Sequence, residues 1–331
     1  MPFVRNFVVA APTRLGHTQV GLNLGQALAA AGHRVSYFDY DAMPAQLRFL
    51  PRPLRAGNWR QRQLDYVNER VLKFVQKVKP DVFLCVKGVQ FRPATIEAIG
   101  ALGVTTAGYW IDDPLDHERS LVNARSYRHY FTNDLGSVAR YRDEGVSRIH
   151  HLASAADSAS FYPLPERAPI TDVAFVGTHS PYRESILAQL QDFDLRVHGP
   201  GWRKSGLKKS CVFPEAFGKK TNEIYNRARI NLNIHNWFGR GTAMNLRLFE
   251  VPAAGGFLLT DWVAEIDAAY ADGEHLACWR SAAELRDRIV WYLSHEQERR
   301  AIAARGHRHF LSHHSYAARA QQLLSCLDAG D

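Results

Sequence analysis

Hydrophobic positions along this chain switch repeatedly between a short period that suits buried strands and a longer one that suits helices. Apolar runs at residues 6–11, 34–38, 81–86, 105–111, 127–132 and 149–152 read as strands. Between them the spacing lengthens. Val20, Leu24, Ala27, Leu28 and Ala31 share one helical face, and Gly32 supplies the stop. Residues 64–78 form a second amphipathic stretch ended by Pro80, Pro93 opens a third helix, and 135–144 reads as a fourth. Strands separated by helices of this length imply a parallel sheet covered on both faces.

The pattern breaks and then restarts. Polar and proline-rich residues from 154 to 169 read as a linker. Strands follow at 172–177, 195–199, 211–213, 230–235, 257–261 and 275–279, with helices at 182–190, 219–228, 282–293, 296–310 and 316–327. The predicted fold class is therefore α/β, with two Rossmann-like doubly wound domains facing a cleft. We divide the chain into a first domain over 1–155, a linker over 156–170 and a second domain over 171–312. A final helix over 313–331 is expected to cross back to the first domain.

The densest chemistry lies between Asn231 and Asp261. A strand there runs into the glycine-bracketed turn Gly239-Arg240-Gly241-Thr242, then a short amphipathic segment carrying Leu246, Leu248, Phe249 and Val251. Gly255-Gly256 stops it and a second strand follows. A glycine turn feeding a helix start lets the backbone approach a phosphate, with free N–H groups and the helix dipole favouring negative charge. Glu250 sits far enough into that segment to reach past a phosphate to a ribose hydroxyl. Pro252 withholds one amide and is expected to bend the segment after Glu250. On pattern alone, an ordinary βαβ unit with a glycine stop fits equally well.

Composition narrows the classes. A chain of 331 residues with 46% hydrophobic and 22% charged residues suits two soluble domains. No apolar run approaches bilayer length and the start lacks the parts of a signal peptide, so a cytoplasmic protein is expected. Cys85, Cys211, Cys278 and Cys326 form no Cys-x-x-Cys pair and read as buried, reduced thiols. The net charge of +8 is concentrated between residues 46 and 79, where Leu47, Phe49, Leu50, Leu54 and Trp59 interleave the basic positions. Either this is a solvated helix face, or it docks peripherally on anionic lipid at the inner face of the membrane or on a phosphorylated acceptor. Nucleic-acid binding is the weakest of the readings, because no recognised nucleic-acid motif accompanies the charge.

The run Asn245-Leu246-Arg247-Leu248-Phe249-Glu250-Val251-Pro252-Ala253-Ala254-Gly255-Gly256-Phe257-Leu258-Leu259-Thr260-Asp261 resembles the CgeB-like (spore maturation protein) glycosyltransferases, a branch of the group 1 glycosyltransferases with a GT-B fold. Phe175-Val176-Gly177-Thr178 with Arg183 after it, His198-Gly199-Pro200-Gly201-Trp202, Ile230-Asn231-Leu232-Asn233-Ile234-His235, Asp112-Asp113-Pro114 and Phe131-Thr132-Asn133-Asp134 also fit. The resemblance implies a nucleotide-diphosphate sugar (UDP-, dTDP- or GDP-linked) as donor on the second domain. It places a glycan, lipid-linked or protein acceptor on the first. Glu250 would accept from the ribose hydroxyls, Gly241, Thr242 and Asn245 would belong to the diphosphate turn, and Arg183 and Arg247 would offset the leaving charge. Related enzymes carry a second glutamate where this chain has Thr242, which leaves the sugar contact and the stereochemistry open. Two other functions remain: a nucleotide-sugar epimerase on the same fold, and a non-catalytic sugar-nucleotide-binding or scaffold protein.

Enzymes of this fold stabilise the leaving phosphate with amides, helix dipoles and Arg or Lys, so no metal is expected. Gly177 and Lys204 are further candidates around the donor, with Lys208 and Lys209 beside Lys204. Phe213 and Trp237 are candidate base-stacking residues or plain core. Asp112 and Asp113 end a predicted central strand; they are candidates for the general base, or mark only a turn and a helix cap. Gly16 and His17 occupy the first strand-to-helix turn, where the resemblance implies closure over the phosphates or sugar. His17 is then a base or a diphosphate donor, or else a surface histidine. The pairs His150-His151 and His313-His314 lack acidic or thiol partners at helical spacing and read as structural or exposed.

Overall fold

A computed structural model describes residues 4–12, 19–41, 59–165, 168–236 and 242–329. The chain forms two compact units, Met1–Ala153 with Tyr316–Asp331, and Ser154–Ser315. Each holds one six-stranded parallel sheet. Among the described residues no helix is long and apolar enough to cross a membrane.

The first sheet has the order β2-β1-β3-β4-β5-β6. Its strands are β1 (Asn6–Ala10), β2 (Arg34–Phe38), β3 (Val82–Val86), β4 (Thr105–Trp110), β5 (His129–Thr132) and β6 (Ile149–His151). Alternation along β1 and β3 builds two cores at once. Phe7, Val9, Val82 and Leu84 face Leu24 and Leu28, whereas Val8, Phe83 and Cys85 face Val67, Val71 and Ile96. Helix Tyr316–Asp328 completes the former layer with Ala320, Leu323 and Leu327. It is held there by Arg319 Nε donating to the Ala153 carbonyl at 2.8 Å and by the Arg5–Asp328 ion pair at 2.5 Å.

Two helices depart from the sequence expectation. The helix expected from residue 64 runs over Trp59–Val78, because Arg and Gln propagate a helix without needing an apolar face. The charged stretch is thus helical from residue 59; residues 42–58 lie outside the described residues. A helix after Asp112-Asp113-Pro114 was expected only as one reading of that turn, without bounds, and it runs over His117–Ala124. Its buried positions are His117, Ser120, Asn123 and Ala124, so hydrophobic periodicity does not mark it.

The second sheet has the order β12-β11-β10-β7-β8-β9. Its strands are β7 (Thr171–Val176), β8 (Leu195–His198), β9 (Val212–Phe213), β10 (Ala228–Asn233), β11 (Leu258–Asp261) and β12 (Ala277–Trp279). β12 starts two residues later than expected, since His275 Nδ1 instead accepts from the Ala271 amide at 3.1 Å in the preceding turn. The chain winds outward from β7 to β9, then returns to lay β10 on the opposite side of β7. This reversal opens the crevice at which such sheets bind ligands, beyond the carboxyl ends of β7 and β10.

Helix Arg247–Ala253 packs over that crevice through buried Leu248, Phe249 and Val251. Pro252 falls in its last turn rather than kinking its middle. The Leu248 carbonyl that a residue-252 amide would have bonded accepts instead from the Tyr270 hydroxyl at 2.9 Å. Gly255, at φ +74°, then turns the chain out of the helix and into β11.

Candidate functional site

At the carboxyl end of β7 the backbone passes from Val176 into Gly177. Here Arg247 reaches across from its helix. Its Nε donates to the Val176 carbonyl, and its Nη1 donates to Asn233 Oδ1, at the end of β10, at 2.6 Å. One guanidinium therefore bridges the two strands that define the switch point. A side chain at 177 would overlap Arg247 Nη2, so only glycine admits it. A β-carbon on Gly199, at φ +135°, would likewise run into the Gly177 carbonyl, to which Trp202 Nε1 donates at 2.7 Å.

Arg183 supplies a second guanidinium. Ser180 caps helix Pro181–Leu187 by accepting from the Arg183 amide, and the side chain turns back toward the strand ends. Its Nε donates to the Ile234 carbonyl at 3.0 Å and its Nη1 to the Thr178 carbonyl at 2.9 Å. Both guanidiniums lie on Phe175, with central carbons 5.5 Å (Arg183) and 5.2 Å (Arg247) from the ring centroid. Burial, reinforced by the Arg247 charge and opposed by Asp261, brings Arg183 down to about 9. Among the described residues neither Nη2 has a hydrogen-bond acceptor, so this pair of cations stands ready for an anion.

Glu250 lies one helical turn beyond Arg247. Tyr225 donates its hydroxyl to Glu250 Oε2 at 3.2 Å, and Oε1 has no donor among the described residues. Burial raises this carboxyl above its ordinary value, against the pull of Arg247 and the Tyr225 hydroxyl. A half-buried carboxylate with an open oxygen can accept from a ligand hydroxyl.

A buried polar network fixes the floor. Asn233 Nδ2 donates to Thr260 Oγ1 at 2.9 Å, and Asn245 Nδ2 donates to Asn233 Oδ1 at 2.9 Å. The His235 amide bonds both Asp261 carboxylate oxygens, at 3.0 and 2.9 Å, and His235 Nδ1 approaches Asp261 Oδ1 at 2.8 Å. Asn233, His235, Thr260 and Asp261 are all solvent-inaccessible. Fully paired groups of this kind hold Asn233 Oδ1 where Arg247 needs it.

Residues 183–325 match the family described as Glycosyl transferase-like. The match begins at Arg183 and contains Arg247, Glu250 and Asp261. Among curated proteins none matches the chain in sequence. In fold the chain is similar to sucrose-phosphate synthase from Thermosynechococcus elongatus, with 15% identity, TM-score 0.68, and 99% of this chain and 100% of that chain covered. It is also similar to Anabaena HepE in complex with UDP (11%, 0.64, 98% and 100%) and to the lipopolysaccharide outer core galactosyltransferase WaaB (9%, 0.57, 98% and 99%). The two parallel sheets with their helices are those of GT-B glycosyltransferases.

Within the second unit Arg183, Arg247, Glu250, Gly177 and Asn245 come together as a cluster. Asn245 serves its neighbours: Oδ1 accepts from the Arg247 amide at 3.1 Å while Nδ2 holds Asn233. Thr242 is half-buried at the edge of the described chain, and Gly241 and Trp237 lie outside the described residues. Lys204 is exposed on the turn after Gly201. Phe213 packs at a tilt against His198, with ring centroids 5.4 Å apart, and carries Arg196 over its face at 4.9 Å. Sequence reasoning missed Tyr225, and it quoted Phe175, Asn233, His235 and Asp261 only as motif residues, without the contacts they make. Alternation was the available signal: Asn231, Asn233 and His235 interrupt an otherwise apolar strand that is buried on both faces.

In the first unit the two adjacent carboxylates part ways. Asp112, beyond the end of β4, is partly exposed and pairs with Lys87 Nζ at 2.7 Å; Lys87 itself sits at φ +65° beyond β3. The expected helix cap by Asp112 is not formed: Asp116 occupies the N-cap of His117–Ala124, without a side-chain bond. Asp113 is buried. It accepts from Thr132 Oγ1 at 2.5 Å and the Tyr141 hydroxyl at 3.0 Å, with His117 Nδ1 at 3.2 Å. Burial raises its carboxyl and these three partners oppose the rise. Gly16 and His17 lie outside the described residues. His150 stacks between His129 and Phe131, and His313 stacks on His309. Among the described residues no cluster of His, Cys, Asp and Glu could hold a metal ion.

Proposed function

We propose that this protein is a glycosyltransferase that moves a sugar from a nucleotide-diphosphate sugar to a hydroxyl acceptor. One observation carries the reading. Arg247 ties β7 to β10 at the switch point, and Glu250, one turn along the same helix, keeps an unbonded carboxylate oxygen. The distance of one turn matches the separation of a diphosphate from its ribose. Arg183 and Arg247 would hold the diphosphate as negative charge builds on it, and Glu250 would accept from the ribose hydroxyls. In transfer, the acceptor oxygen bonds to the anomeric carbon, the carbon–oxygen bond to the diphosphate breaks, and the nucleoside diphosphate leaves with that electron pair. Asp112, as general base, would receive the acceptor proton. The Phe-Glu-x-Pro-Ala-x-Gly-Gly run supports a place near the CgeB-like group. A cytoplasmic protein with a glycan, lipid-linked or protein acceptor belongs to the same proposal.

A thermal-shift screen of UDP, dTDP and GDP, repeated on Glu250→Ala, tests it. At least one nucleotide should raise the melting temperature of the wild type, and most of that rise should vanish in the variant. A rise that survives Glu250→Ala unchanged would remove the ribose assignment.

A further inference from the structure

At the opposite end of the second sheet, before the first residues of β7, β10 and β11, lies a cavity of about 540 Å³. Its size suits a small ligand. One wall is the proline-containing segment Tyr162–Pro165, fastened to helix Lys219–Arg227 by two asparagines. Asn222 Oδ1 accepts from the Tyr162 amide at 3.1 Å, and Asn226 Oδ1 accepts from the Leu164 amide at 2.6 Å. Phe257, Ala303 and Gly255 add an apolar floor.

The rest of the lining is basic. Lys219, Arg227, Arg229, Arg299 and Arg300 line the cavity, with Glu223 and Glu296 as the carboxylates of the lining. Arg227 pairs with Glu223 at 3.2 Å, Arg300 with Glu296 at 2.7 Å, and Arg229 with Asp172 at 3.3 Å; these are partly exposed, weak pairs. Arg299 differs. Its residue is 6% exposed, Nη1 donates to the Tyr292 carbonyl at 2.5 Å, and no carboxylate pairs with it among the described residues. Glu296 and Asp172 act on it without a direct ion pair, and a buried guanidinium held only so gains from an anion that reaches it. Arg299 also lies in the first turn of helix Glu296–His313, where Glu296 and Glu298 share the positive end of the dipole with it.

We propose that this cavity binds a phosphate group, gripped by Arg299 and flanked by Arg229 and Arg300, with the organic part of the ligand on the Pro163–Phe257 side. The cavity shares Tyr225 with the donor crevice, where its hydroxyl bonds Glu250, but the arginines that line it are not those of the crevice, so the proposal does not depend on the function given to Arg183 and Arg247. A soluble phosphate ester and a phospholipid headgroup share this chemistry.

Inorganic phosphate is titrated calorimetrically at constant ionic strength into the wild type, Arg247→Gln, Arg299→Gln and the double variant Arg229→Gln/Arg300→Gln. Saturable binding should persist in Arg247→Gln, weaken about tenfold or more in Arg299→Gln, and weaken several-fold in the double variant. Arg229 and Arg300 are largely exposed, so the double variant keeps the test valid if Arg299→Gln does not fold. In a parallel arm, pelleting with phosphatidylcholine vesicles with and without phosphatidic acid separates the sources. Arg299-dependent pelleting only with phosphatidic acid assigns a headgroup, and phosphate binding without pelleting assigns a soluble ester. Absence of both, or phosphate binding lost in Arg247→Gln and untouched in the other variants, overturns the proposal.

Discussion

Arg247 crosses Gly177 so closely that a β-carbon on residue 177 would occupy the place of the Arg247 Nη2. The glycine is thus required by a neighbour seventy residues away in sequence, not by a turn of its own. Gly177→Ala should push Arg247 off the Val176 carbonyl and weaken nucleotide-diphosphate binding about tenfold or more, the loss expected for one charge-assisted contact. Calorimetric titration of the nucleotide found in the thermal-shift screen measures it. Unchanged affinity would show that Arg247 does not contact the diphosphate.

Glu250 should limit stability as well as serve binding. Burial raises its folded-state carboxyl above the ordinary 4.5, so between the unfolded and folded values the native state holds the proton more tightly. Stability from this group is therefore lost as pH rises through the folded value. Glu250→Gln should melt higher than the wild type near neutral pH, and the gap should close as pH falls toward 4.5. Melting temperatures of both proteins across that range decide the point; a gap independent of pH would contradict it.

The adjacent aspartates should separate in experiment as they do in space. Asp113→Asn puts an amide among three partners that need an acceptor, which should cost about 2–4 kcal/mol of stability. Asp112→Asn disturbs only a part-exposed pair with Lys87 and should cost less than about 1 kcal/mol. Its effect should instead be on acceptor-stimulated release of nucleoside diphosphate, lowered about 100-fold or more with nucleotide binding intact. Denaturant unfolding and turnover, measured side by side, test both halves.

Trp202→Phe keeps the ring against Phe175 but removes the bond to the Gly177 carbonyl, 2.7 Å long. A loss of about 1–2 kcal/mol is expected in denaturant unfolding, the cost of stranding one buried carbonyl. A loss of several times that size would mean that the indole packs as more than this bond.

Hydrophobic period alone determined the two parallel sheets, because strands buried on both faces read as apolar runs and the helices between them keep a second rhythm. The glycine and proline positions likewise marked Gly32 and Gly255 as helix stops. The bounds of helix His117–Ala124 stayed hidden because polar side chains fill its buried face, and a polar residue carries no sign of which way it points. Arg183, Arg247 and Glu250 could be named from their motif, but not what they touch. That Arg247 joins β7 to β10, that both guanidiniums share Phe175, and that Asp113 is sealed while Asp112 remains open were decided by tertiary structure. Hydrophobic burial is nondirectional and leaves its trace residue by residue, whereas hydrogen bonds and ion pairs join positions far apart in the chain and exist only once the strands that carry them are side by side.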